Sequence, residues 1–254
     1  MKKYEFTGEV RDFYGITLHR IRAIRSFGTV KVGEIGGWIE KEYNLSQSTN
    51  AWVGDNAKVF GDAKVFDNAL VYGNAKVYGN AKVFCNAEVY GNALVYGNAK
   101  VLGNALVFGN ANVLSNAKVL DKALVYGNAE VCGNADIGDY AEVYDEAWVG
   151  DNAKVFGEAL VYGNAEVFGE AEVFGEALVY NNADYIVFKN WWSSNRYFTW
   201  TRSNNKWKVG CFFGTGAELI AKAYKDSEKS GREYERIVKY VESILADESN
   251  ETTE

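Results

Sequence analysis

The chain contains no proline, one methionine, one histidine and three cysteines among 254 residues. Each scarcity excludes something. A backbone without proline keeps every N–H, so strands that bond to neighbours on both sides are open to it along its whole length. A single histidine, His19, rules out a zinc centre built on three imidazoles. Cys85, Cys132 and Cys211 are scattered, without metal-ligand spacing or a disulfide framework, which fits a reducing cytoplasm. No metal and no cofactor is expected. No long apolar run exists, and Met-Lys-Lys-Tyr-Glu-Phe at the start has no hydrophobic leader, so neither secretion nor a membrane span is expected.

What fills the chain instead is a repeat. Valine stands at every sixth position from Val53 to Val179, with Ile137 the one substitution, and alanine fills a second column from Ala51 to Ala183. The unit reads Ala-x-Val-Tyr/Phe-Gly-Asn. In Ala-x-Val the outer residues point one way and x the other, the two-residue alternation of a strand. Valine suits a buried strand position, and alanine fits a narrow interior beside it. Gly-Asn supplies the bend. One hexad is a strand and a corner; it cannot bury its own valine, so hexads must stack into a solenoid.

The x position gives the number of hexads per coil. Every eighteenth residue yields one column of Trp52, Leu70, Glu88, Leu106, Leu124, Glu142, Leu160 and Leu178. A second runs Lys58, Lys76, Leu94, Asn112, Glu130, Trp148, Glu166, and a third Lys64, Lys82, Lys100, Lys118, Asp136, Lys154, Glu172. Leucine and lysine segregate only at this period, so three hexads close a triangular coil. Twenty-two hexads predict about seven coils and, at a strand spacing of about 4.8 Å, a rod roughly 34 Å long.

Four regions follow: an N-terminal cap over 1–46, the solenoid over 47–183, a C-terminal α+β unit over 184–247 and a flexible tail over 248–254. An open solenoid needs caps, because its ends expose unpaired backbone and core. The first cap carries Tyr4, Phe6, Phe13, Tyr14, Leu18, Ile21, Ile24, Phe27 and Trp38, with Gly36-Gly37 read as a tight turn. In the C-terminal unit, strands are predicted at 185–189, 196–202 and 206–213, with Ser203-Asn204-Asn205 as a hairpin turn. Thr215 is read as the N-cap of a helix over 216–229, followed by a helix over 231–247.

The hexad resembles the hexapeptide-repeat left-handed β-helix, in which an aliphatic residue is followed four positions later by a small one. Val53 with Ala57, Val59 with Ala63 and each later pair fit. The left hand is implied by that resemblance alone, since parallel crossovers are normally right-handed. The whole chain is also similar to uncharacterised phage and prophage hexapeptide-repeat proteins. The carriers are Thr17-Leu18-His19-Arg20-Ile21-Arg22-Ala23-Ile24, Gly36-Gly37-Trp38-Ile39-Glu40, Asn44-Leu45-Ser46, the hexads and Cys211-Phe212-Phe213-Gly214-Thr215. This resemblance implies a mobile-element origin, the cytoplasm of a bacterial host and action on a host defence system. Many hexapeptide β-helices are acyltransferases that use a histidine near a subunit boundary and a loop protruding from a coil. Here His19 lies in the cap and no insertion breaks the register, so acyl transfer is disfavoured and the chain reads as non-enzymatic, without catalytic residues.

The candidate sites are surfaces. Beside the leucine column the residue after each valine is Tyr72, Tyr90, Phe108, Tyr126, Tyr144, Tyr162 or Tyr180. With Leu70, Leu106, Leu124, Leu160 and Leu178 they form an apolar face, read as an interface rather than ladder packing alone. Candidate anion or ligand contacts are His19, Arg20, Arg22 and Arg25 in the cap and the lysine column Lys64, Lys82, Lys100 and Lys118; solvation of an exposed face is the blander role of that column. Residues 46–122 carry seven basic and five acidic residues, net +2; residues 123–183 carry one and twelve, net −11. Glu146, Glu158, Glu170 and Glu176 replace corner asparagines there and form a candidate acidic partner face. The coil over about 132–150, with Gly138 and Gly150 as gaps in the aromatic columns, is a candidate binding notch. The favoured reading is a homo-oligomeric scaffold, a dimer or trimer, that binds a host protein; the alternative is a sponge for nucleotide-type ligands. Filament growth is disfavoured by the two unlike caps, and ice binding by the lack of a flat threonine array.

Overall fold

The computed structural model describes residues 2–251, so residues 252–254 of the expected tail lie outside it. A hairpin of β1 (Tyr4–Phe13) and β2 (Ile16–Ala23) leads through β3 (Ile35–Ile39) into the solenoid. Twenty-two two-residue strands follow, β4 (Trp52–Val53) to β25 (Leu178–Val179). Each is parallel to, and in register with, the strand eighteen residues away, as in Leu106 against Leu124 and Lys100 against Lys118. The result is a three-sided rod. One face is the eight-stranded sheet of the leucine column, one the seven-stranded sheet of the lysine column. The third, mixed face is extended by β3, β2 and β1 to ten strands.

The valine column and the alanines from Ala51 to Ala177 are fully buried and form one continuous core, while Ala183, past the last strand of the rod, is exposed. The corners need a left-handed residue. Glycine holds most of these positions, for example Gly91 at φ 69°, and aspartate holds six, for example Asp145 at φ 57°. Where aspartate stands, its carboxylate accepts the N–H eighteen residues on, as Asp55 does from Gly73 at 2.9 Å and Asp139 from Gly157 at 3.0 Å. The side chain thereby offsets part of the cost of the backbone conformation.

The rod has eight turns rather than about seven. Trp38 and Ile39 of β3 pair in parallel with Lys58 and Val59, and Leu45 bridges to Val65. Ile39 and Leu45 thus keep the six-residue spacing of the valine column, and the residues between Leu45 and Val53 hold two extra positions that hide it from a period count. At about 4.8 Å per turn the rod is about 38 Å long. Gly36 and Gly37 are not a turn: both are buried inside β3. A Cβ on Gly36 would come within 2.5 Å of the Trp52 ring, and one on Gly37 within 2.7 Å of the Ala57 carbonyl oxygen, so this strand must be bare to close the core.

Both ends are capped by side chains. At the N-terminal end the fully buried Lys3 donates to the carbonyls of Thr49 (2.7 Å) and Ala51, and Asn44 Nδ2 to those of Gly61 (3.1 Å) and Ala63 (2.8 Å). At the other end the last turn presents N–H groups, and side-chain oxygens accept them. Glu166 donates to Asn182 (2.8 Å), Glu172 to Thr199 (2.8 Å), Leu178 to Ser203 (2.6 Å) and Tyr180 to Asp184 (2.7 Å). One acceptor serves each of the three faces and Asp184 a fourth group, which is why the chain beyond the repeat begins with so many short polar residues.

The C-terminal unit is a four-stranded antiparallel meander, β26 (Tyr185–Lys189), β27 (Tyr197–Thr201), β28 (Lys206–Val209) and β29 (Phe212–Gly214). The single strand expected over 206–213 is two, because Gly210 at φ 57° turns the chain and Val209 pairs with Phe212. Thr215 caps α1 (Gly216–Asp226) in a reciprocal box with Glu218. The second helix, α2 (Glu228–Glu251), runs past the residue 247 at which it was expected to stop. The helices pack on the sheet through Trp200, Trp207, Phe198, Leu219, Tyr234 and Val238.

Candidate functional site

The leucine face is continuous over its eight rungs. Tyr72, Tyr90, Phe108, Tyr126, Tyr144 and Tyr162 stack with centroids 4.9 to 5.2 Å apart and planes within 12° of parallel; Tyr180 tilts at the end. Stacking covers the ring faces and leaves edges and hydroxyls outward. Leu70, Leu106, Leu124 and Leu160 beside them are half-buried, and Leu178 is exposed. The two glutamates that interrupt the leucines receive hydroxyls from the ladder, Glu88 from Tyr72 and Glu142 from Tyr126. The structure therefore gathers all twelve interface candidates on one face.

The lysine column is split. Lys118 pairs with Asp136 at 3.0 Å, while Lys64, Lys82 and Lys100 stand in register on successive turns without an ion pair among the described residues. The acidic corners are also split. Asparagine amides ladder along all three corners, on one as Asn68 donates to Asn86 at 3.0 Å, and on the two that run to a glutamate as Asn92 donates to Asn110 at 3.0 Å and Asn98 to Asn116 at 3.0 Å. The latter two ladders end on Glu146, which accepts from Asn128 at 2.5 Å, and Glu170, which accepts from Asn152 at 2.7 Å. A carboxylate suits the last rung, since it accepts and has no donor left to satisfy. Glu158 and Glu176 share the third corner with Lys122, whose ammonium reaches the Tyr140 hydroxyl at 2.8 Å.

The cap cations do not converge. His19 stacks on Phe6 with centroids 4.6 Å apart, and Arg20 lies over Trp38 at 5.1 Å. Arg22 pairs with Glu5 at 2.5 Å. Arg25 stands near Lys3, whose ammonium is brought down to about 7 by burial and, secondarily, by that like charge. The notch expected near residues 138 and 150 is filled. A Cβ on Gly138 would meet the Phe156 ring at 2.4 Å and one on Gly150 the Phe168 ring at 2.6 Å, so the ring of the next turn leans into each gap. Trp148 closes the corner, edge-on to Phe168 at 4.5 Å and donating to Cys132 Sγ at 3.1 Å.

A site that sequence reasoning missed lies where the C-terminal sheet meets the end of the lysine face. It is a cleft of about 620 Å³. The solenoid contributes Lys154, Glu172 and Phe174, and the C-terminal unit Arg196, Tyr197 and Lys208. Lys154 pairs with Glu172 Oε1 at 2.9 Å, while Glu172 Oε2 is sealed from solvent without a hydrogen-bond partner. Lys208 lies 4.4 Å over the Phe174 ring. Neither Arg196 nor Lys208 makes an ion pair among the described residues. The cleft joins residues from two folding units, so no single stretch carries a motif; the one signal was the pair of lysines alternating in Lys206-Trp207-Lys208.

Among the described residues no group of three or more His, Cys, Asp or Glu is placed to hold a metal, and no helix is long and apolar enough to cross a membrane. No family model matches the chain. A stretch of it is similar to the Uncharacterized acetyltransferase YdcK of Escherichia coli (strain K12), 38% identical over 74 residues. The match covers 26% of this chain and 23% of that protein, so the chain spans less than a quarter of the length of the curated relative it matches. This finding corrects the reading of the chain as non-enzymatic. A single histidine and the lack of a protruding loop argue against one way of building an acyl-transfer site. A shared segment with a protein that bears that name removes them as grounds for exclusion.

Proposed function

We propose that the protein is a capped β-solenoid binding scaffold that works as a dimer, two rods lying side by side and antiparallel through their leucine faces. The observation that carries this is the eight-rung face on which half-buried leucines flank a stacked aromatic ladder. Charge favours the antiparallel arrangement, because it sets residues 46–122, net +2, against residues 123–183, net −11, of the second copy. The phage or prophage origin, and a host protein as the partner of the assembled scaffold, follow from the resemblance alone and form part of this proposal. Native mass spectrometry tests the core of it. A dimer is expected for the wild type and a monomer for the Leu106→Lys, Leu124→Lys double variant. A wild-type monomer at micromolar concentration overturns the arrangement.

A second reading is acyl transfer, favoured by the segment shared with the acetyltransferase-named protein. His19 is then the one imidazole available as a base. The test is release of free coenzyme A from acetyl-coenzyme A with amine and hydroxyl acceptors present. Turnover lost in His19→Ala supports this reading; no release by the wild type ends it.

A further inference from the structure

We propose that the cleft between the lysine face and the C-terminal sheet binds a small anion that carries a flat ring and hydrogen-bond donors, the chemistry of a nucleoside monophosphate. The cleft's volume of about 620 Å³ is in the range of small-molecule sites, about 300 to 1,000 Å³.

Its charges are unevenly used. Lys154 is neutralised by Glu172. Arg196 and Lys208 line the cleft with no carboxylate on them, Lys208 donating to the Gly210 carbonyl, and a guanidinium and an ammonium are both receptors for a phosphate. The apolar part of the lining is aromatic. Phe174 has Lys208 over its ring at 4.4 Å and stacks on Phe156 with centroids 5.5 Å apart, while Tyr197, with Lys189 over its ring at 5.3 Å, remains 43% exposed. The exposed Tyr197 ring is the aromatic surface offered to a base, which has a π-face whatever its identity.

Two carboxylates argue against a plain inorganic anion. Glu170 also lines the cleft and is held by the Asn152 amide at 2.7 Å rather than by a cation. Glu172 keeps one oxygen sealed and unpartnered, a costly state that a turn of the carboxylate toward a donor in the cleft relieves. A ligand with both a phosphate and N–H or O–H donors satisfies the two sets of groups together. The two free cations, Arg196 and Lys208, belong neither to the cap arginines nor to the lysine column, and the site exists in a single chain.

The test is isothermal titration calorimetry of the full chain with AMP, GMP, CMP and UMP in turn, and with inorganic phosphate alone. At least one nucleotide is expected to bind with Kd below about 1 mM. Arg196→Ala and Lys208→Ala are each expected to weaken it about tenfold or more, with the melting curve of Arg196→Ala unchanged because that side chain is exposed. Heat from none of the four nucleotides overturns the proposal, as does binding that both variants leave intact. Phosphate bound as tightly as the best nucleotide overturns it too, leaving a simple anion site.

Discussion

The Tyr126 hydroxyl donates to the Glu142 carboxylate at 2.8 Å, one turn up the leucine face. Burial and that carboxylate both push the Tyr126 phenol upward, so it stays a donor throughout the physiological range. Glu142→Leu completes the leucine column yet strands a half-buried hydroxyl. The variant is expected to lose about 1 kcal/mol in urea unfolding, and Tyr126→Phe in the same chain to recover most of it. Additive losses in the two single variants and the double variant count against the pairing.

Lys3 makes stability depend on pH. Its folded value of about 7 lies below the ordinary 10.5, so between these limits the unfolded chain binds more protons and stability rises with pH. The penalty for the buried charge is fully present below pH 7 and fades toward 10.5. The neutral amine still has two N–H bonds for Thr49 and Ala51. Urea midpoints at pH 6.5 and 9.0 are expected to rise more for the wild type than for Lys3→Met; equal slopes refute it.

Gly138 and Gly150 are occupied space. Gly138→Ala is expected to destabilise by about 1 to 3 kcal/mol, since the new methyl must displace the Phe156 ring. If the coil were only a drifted repeat, alanine would cost little there, and thermal melting distinguishes the two.

Thr199 is the acceptor that closes the lysine face. Thr199→Val keeps the shape of the side chain and leaves the Glu172 N–H without its 2.8 Å partner. A loss of about 1 to 3 kcal/mol is expected, together with faster amide exchange confined to the last turn. Unchanged exchange at Glu172 rejects the capping role.

The architecture was legible because a period of six and a superperiod of eighteen survive over more than half the chain. The first turn was not, since two additional residues after Leu45 mask a spacing that Ile39 and Leu45 obey. Gly36-Gly37 reads locally as a bend; only the proximity of Trp52 and Ala57 shows it to be a strand stripped of side chains. The glutamates at 146 and 170 look like charge for a partner until the amide ladders they terminate are traced. Arg196 and Lys208 could not be joined to Phe174 from the sequence, because nothing local states where the C-terminal sheet folds back onto the rod.

Each cap touches the turn beside it, and every turn between is built to one pattern in register with its neighbours. Length is therefore a free variable of this molecule. Removing or duplicating eighteen residues inside the repeat shortens or lengthens the rod by about 4.8 Å while both ends keep their fittings. The solenoid is a ruler with fixed end-pieces, and its eight graduations set the distance between the hairpin at one end and the α+β unit at the other.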